Sequence, residues 1–419
     1  MRLTTELHMR LAILPAIAIV LAGGVANAAN QVTAQSGKWS DPGTWQGGSV
    51  PQADADVIIA SGHTVAYDKS SRKPLGNITI EGQLVFDDRA TLELAATGNI
   101  VVKGELTLRP AGPTTRHLIT FTQVDETKYI GGGMQVLDSD VGLWVVGKGI
   151  LNVAGSVKTP WTRLRTEASA KQAVIEVEDA AGWQVGDRLE IVPTLPPTSG
   201  DVSWNGYDSV KITAVDGNKV SVAPALQYDH PQVNKRWMAE VLNLTRNVVI
   251  QGTPQGRAHM MLMIDRPQKI TNIEIRHMGP RNVDGRYTKG VLGRYAFHFH
   301  LNGQGSRGSL VENVVIHDAG NHAFVPHGSH GIILRRCVSH NTWDDAFWWD
   351  PGFENRTNDT RLEGCLASKV RVDPPFRGGR LTGFNLGQGA GNRITDCVVV
   401  GVRGNGDSAG FIWPERPAL

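Results

Sequence analysis

The stretch "NVVIHDAGNHAFVPH", residues 313–327, contains a short apolar strand, a turn built on small residues, and a second short strand. Neither strand can bury an apolar face by itself. Both halves recur along the chain. "YAFHFH" (295–300), "HAFVPH" (322–327) and "DAFWWD" (345–350) align with one another, and "TGFNLG" (382–387) and "AGFIWP" (409–414) align more loosely. Phe297, Phe324, Phe347, Phe384 and Phe411 then share one column, at spacings of 27, 23, 37 and 27 residues. A second set runs beside it: "NVVIQG" (247–252), "NIEIRHMG" (272–279), "NVVIHDAG" (313–320), "GIILRRC" (331–337), "TRLEGC" (360–365) and "NRITDC" (392–397). Each repeat therefore reads as one short strand, a turn, a second strand and another turn. Units of this size bury their apolar faces only by stacking. The expected fold is all-β, a right-handed parallel β-helix with coils about 4.8 Å apart.

The rest of the chain fits that class. Gly is abundant at 48 of 419 residues. Val, Ile and Thr are frequent, and long amphipathic helical patterns are missing, as in an all-β chain with many turns. Three cysteines in an exported chain can signal a free reactive thiol. Here Leu334, Leu362 and Ile394 each stand three residues before Cys337, Cys365 and Cys397, which puts the thiols in one interior column of small apolar side chains. The net charge of +2 gives no argument for a nucleic-acid partner.

The N-terminus carries Arg2 and Arg10, an apolar run from Leu11 to Leu21, and Ala26-Asn27-Ala28. That is the pattern of a secretory signal over 1–28. The expected location is therefore secreted, periplasmic or cell-surface, with no membrane span after signal cleavage. Alternating, Gly-broken segments such as "ADVIIASGHTVAYD" (55–68) and "GNIVVKGELTL" (98–108) predict a β-rich domain over 36–165 that suits the first coils or cap of the solenoid. Residues 166–238 read as a small inserted β module, and 239–419 as the repeat region.

Two stretches carry a family resemblance. "GKWSDPGTWQGGSVPQADADVIIASGHTV" (37–65) resembles the start of the eight-glycine domain of extracellular proteins. "AEVLNLTRNVVIQG" (239–252) and "KGVLGRYAFHFHLNG" (289–303) resemble the cell-surface hyaluronidase and hyaluronan-binding family. The resemblance implies an extracellular β domain continuing into a parallel β-helix. It also implies hyaluronan or a similar polysaccharide as substrate, and calcium dependence.

The candidate site follows from alternation along a strand. If the Phe column faces the core, His298 and His300 face outward. So do Val325 and His327 on the next coil, and Trp348 and Asp350 on the one after. His300, His327 and Asp350 form one expected column, with His298 beside it. Three imidazoles and a carboxylate can bind a divalent ion, and that nitrogen–oxygen set suits zinc or manganese better than calcium. Without metal, His and Asp can serve as general acid and base near neutral pH. Asp350 and Glu354 are the nearby carboxyl pair that glycoside hydrolysis would need. Trp348 or Trp349 offers a flat face for a sugar ring, and Arg294 offers paired hydrogen bonds to a uronic acid carboxylate. His317, His322, His330 and His340 read as solvated residues of turns and strand ends, with His322 and Asp345 as an outer support of the site. Asp344 and Asp345 read as turn formers.

Three functions stay open at this point. The first is a secreted enzyme that cleaves an acidic, hyaluronan-type polysaccharide by hydrolysis. The second is a lyase acting on a uronic acid polymer. The third is a non-catalytic extracellular glycan-binding or surface protein.

Overall fold

The computed structural model describes residues 30–71, 73–195, 204–284, 287–349, 356–372, 381–404 and 408–413. The expected signal segment, 1–28, lies outside them, as do Asp350 and Glu354.

The Phe column is real and continuous. Phe297 pairs with Phe324, Phe324 with Phe347, Phe347 with Phe384, and Phe384 with Phe411, all in parallel register. From Phe324 onward the rings lie nearly parallel, with centroids 4.7, 4.5 and 5.0 Å apart. That spacing is the inter-strand distance of a sheet. From Phe324 to Phe384 one aromatic ring per coil stacks in the interior at the spacing the paired strands set, and Phe411 at the end of the stack is 41 % exposed.

Each coil of the repeat region has three strands, not the two expected. The coil that begins at Phe297 runs through Phe297–Gly303, Leu310–Glu312 and Val315–His317. The cause is a left-handed residue inside the second run. Asn272, Asn313, Arg336, Gly364 and Asp396 occupy equivalent positions with φ between 50° and 62°. Asn, Asp and Gly tolerate that region best, and a single left-handed residue turns the chain sharply enough to start a new strand. Asn313 Nδ2 also donates to Asn272 Oδ1 at 3.0 Å, tying one turn to the turn below.

Three parallel sheets result, of eleven, ten and eight strands. The third is shorter because it begins only at Leu92–Ala96. The N-terminal strands belong to the same three sheets as the repeats, so the described strands from Gln31 to Ile412 form one β-helix. The interior is one apolar cluster running from Trp39 to Leu386. Cys337 and Cys365 are buried in it and Cys397 packs against it, as an interior column of free thiols.

A six-stranded antiparallel sheet interrupts the helix. It leaves after Ile150–Ala154 of the second sheet and returns before Val248–Gln251 of the third, so it fills a single corner of one coil. It has its own core around Trp183, Leu189 and Val241. Val192, Leu242 and Leu244 then seat it on the outer face of the third sheet, against Val315, Val338 and Leu366. Polar groups line the same seam. His317, expected to be solvated, is buried between Glu274 (3.2 Å) and Asp318 (2.8 Å). Burial alone would lower its pKa, but these two carboxylates raise it. His340, also expected in solvent, is buried there too. Among the described residues no helix is long and apolar enough to cross a membrane.

Candidate functional site

Phe297 and Phe299 enter the core, so the intervening and following residues, His298 and His300, take the other face of the strand. On the next coil Phe324 enters the core and His327 takes the other face. His300 pairs in register with His327, and His298 with Val325. The three imidazoles converge. His300 Nδ1 lies 3.3 Å from His298 Nε2 and 3.2 Å from His327 Nδ1.

These residues face away from the solenoid core yet are not exposed as expected. His298 is 0 % accessible, His300 7 % and His327 8 %. A second layer covers the sheet here, built from the segments around 129–140 and 291–295. Its anchor is Asp140, which accepts hydrogen bonds from the Ile130 and Gly131 amides, from Ser139 Oγ and from Arg294 Nε. Burial alone would raise the Asp140 pKa, but these donors and the Arg294 charge lower it. Arg294 also donates to the Gly132 carbonyl and lies over the Trp144 ring, 4.9 Å from its centroid.

Arg294 is therefore not a substrate ligand. It is fully buried and committed to Asp140, so a uronate carboxylate has no path to it. Trp349 is a second correction. It is fully buried in the hydrophobic core and offers no face to a sugar. Strand alternation explains it: with Phe347 inside, Trp348 points out and Trp349 points in again. Trp348 is half-buried on the outer face, stacked on His322 at 4.2 Å and touched edge-on by Tyr295 at 5.6 Å. Asp350 and Glu354 lie outside the described residues.

The donor geometry can be read atom by atom. His298 Nδ1 faces the Gly293 carbonyl at 3.1 Å. A carbonyl only accepts, so Nδ1 carries the proton and Nε2 turns its lone pair toward the other two rings. Burial pushes the His298 pKa well below its ordinary value, and the neighbouring His300 and His327 push it further. A neutral ring with one nitrogen fixed by a backbone carbonyl is the usual state of a metal-ligating histidine. Nitrogens bound tetrahedrally at about 2.0–2.1 Å from one ion stand about 3.3 Å apart. The two observed separations agree with that edge length. The residues present therefore fit a zinc-type ion, and an all-nitrogen set does not suit calcium.

Two supporting residues, Asp140 and His259, carried no signal in the sequence, whereas His322 and Asp345 were expected as an outer support. Asp140 is 154 positions from Arg294. His259 lies under the site, edge-on to Trp144 at 4.6 Å, with its pKa pushed down to about 3 by burial and by Arg294. His322 joins Asp344 and Asp345 in a second cluster. Tyr295 links the two clusters, with its ring 4.7 Å from that of His298 and 5.1 Å from that of His322. Asp345 accepts from the Thr382 amide and hydroxyl. Burial is the main cause that pushes its pKa up to about 6.

Known families match both parts of this architecture. Residues 44–165 match the G8 domain, and residues 255–380, which contain all three histidines, match the CEMIP β-helix. The chain is thus similar to G8 domains over the first segment and to the CEMIP β-helix over the second. It is 24 % identical over 335 residues to a G8 domain-containing protein of Dictyostelium discoideum, covering 76 % of this chain and 23 % of that one. It is 24 % identical over 261 residues to the human cell surface hyaluronidase CEMIP2, covering 54 % of this chain and 18 % of that one. The chain thus spans less than a quarter of the length of either relative. Among solved structures, the Gp54 tailspike of Acinetobacter baumannii bacteriophage AP22, in complex with a capsular saccharide, aligns over 78 % of this chain and 63 % of its own. Its identity is 12 % and its TM-score 0.19, too loose to bear on function.

Proposed function

We propose that this chain acts outside the cytoplasm on an acidic polysaccharide of the hyaluronan type, cleaving it by hydrolysis. The observation that carries the reading is the convergence of three imidazole nitrogens, 3.2 and 3.3 Å apart, on the outer face of the β-helix. The CEMIP β-helix match over those residues and the similarity to a cell surface hyaluronidase support the substrate class.

In this reading His298, His300 and His327 hold a zinc-type ion. Such an ion supplies Lewis acidity toward a substrate oxygen. His298 is kept in the right tautomer by Gly293. His300 and His327, the two slightly open members, form the side from which substrate approaches. Trp348 supplies an apolar surface beside the triad for a sugar ring. Asp350 and Glu354 are proposed as the carboxyl pair of hydrolysis. With Arg294 sealed beneath the site, a lyase would have to neutralise the uronate by other means.

The test is polymer size. Purified protein is incubated with hyaluronan, chondroitin and pectin, with and without a chelator. The expected result is shortening of hyaluronan or chondroitin that chelation stops and zinc restores, without products absorbing in the ultraviolet. Ultraviolet-absorbing unsaturated ends would overturn hydrolysis in favour of elimination. Binding without shortening would leave a glycan-binding protein in place of an enzyme.

A further inference from the structure

We infer that His322, Asp344 and Asp345 form a second divalent-cation site, of the manganese class, beside the three-histidine cluster and separate from it. The inference goes beyond the proposed hydrolysis and does not depend on it.

The ligand atoms of these three side chains all lie within 4.8 Å of one another. His322 Nδ1 is completely buried, has no hydrogen-bond partner, and points at Asp344 Oδ1 from 3.6 Å, beyond hydrogen-bond reach. That contact is an ion pair only while the ring is protonated, and a neutral ring leaves this buried nitrogen unpaired, which is costly. A cation shared with the carboxylates would satisfy it. The ring is also held in place, stacked on Trp348 at 4.2 Å and 7° and touched edge-on by Tyr295. Asp345 is 4 % accessible, and its Oδ1 is fixed by the Thr382 amide at 2.6 Å and hydroxyl at 2.9 Å. The Asp345 amide donates to Asp344 Oδ1 at 3.1 Å, which orients the second carboxylate.

The donor set sorts the two sites. Three imidazoles favour zinc. Two carboxylates with one imidazole are harder and favour manganese over zinc relative to the triad. The Asp344 and His322 side chains, 28 % and 12 % accessible, mark the side where further oxygen ligands would enter.

The test uses the full chain loaded with one equivalent of zinc and then titrated with Mn²⁺, with no polysaccharide present. Bound Mn²⁺ is counted by electron paramagnetic resonance, and tryptophan fluorescence is followed in parallel. One further Mn²⁺ per chain is expected, with quenching of tryptophan emission. Asp344→Asn and Asp345→Asn should each weaken binding at least tenfold. Asp344 is the most open of the three residues, so its variant carries the test if the Asp345 variant fails to fold; thermal unfolding distinguishes these cases. Absence of a second ion, or Mn²⁺ binding unchanged in D344N, would overturn the inference. Neither outcome bears on polysaccharide cleavage, which is measured separately.

Discussion

His300→Ala and His327→Ala are each expected to abolish metal-dependent polysaccharide shortening, with losses of at least about 100-fold. Removing a partner that merely orients a metal ligand already costs 10–100-fold in affinity or activity. Removing a ligand should cost more. His300 is the more sensitive of the two, because its Nδ1 stands between the other two nitrogens. Folding should survive both changes. The two side chains face away from the phenylalanine stack, and neither belongs to the apolar interior. Circular dichroism and thermal unfolding close to the wild type, together with lost activity, is the expected pair of results. Full activity in both variants would remove the triad from the mechanism.

Arg294→Ala is expected to cost stability and activity together. Arg294 and Asp140 are both fully buried, with Nε and Oδ2 2.8 Å apart. Removing one partner of a buried pair leaves an uncompensated charge and costs about 3–5 kcal/mol. The change should appear as a lowered urea midpoint. It should also loosen the layer that seats Gly293 on His298. Metal affinity should therefore fall, by about 10–100-fold for a lost orienting contact. Acid sensitivity gives an independent readout. The folded-state pKa of Asp140 is lowered, so its contribution is present above the unfolded carboxylate value and is lost as pH falls through the folded value. Without Arg294 that lowering shrinks, and acid unfolding should begin at a higher pH. A variant with unchanged stability and an unchanged acid limb would contradict this account of the covering layer.

The parallel coil was legible in the sequence because phenylalanine recurs with similar neighbours on each side. Phe297, Phe324, Phe347, Phe384 and Phe411 do pair rung to rung. The third strand of each coil was not legible. It depends on a left-handed backbone at Asn272, Asn313, Arg336, Gly364 and Asp396, and conformation, not residue type, is what these positions share. The pairing of His300 with His327 followed from the phenylalanine register. Their burial did not, because the covering layer comes from residues far away in the chain. Asp140 reaches Arg294 across 154 positions, and no local pattern marks such a partner. Trp349 is different. The alternation that turned His298 outward also turns Trp349 inward, so its interior position was available from the same rule. His322 and Asp345 were legible as an outer support from the repeat register, whereas Asp344 looked like an ordinary turn residue because its meeting with His322 depends on the stacking of one coil on the next.

X-ray absorption at the zinc edge, on purified protein with one equivalent of zinc, tests the central claim most directly. Three imidazole nitrogens at about 2.0–2.1 Å are predicted, with the signal lost in His300→Ala. An all-oxygen coordination shell, or a shell unchanged by that substitution, would contradict the claim that the three histidines bind one metal ion.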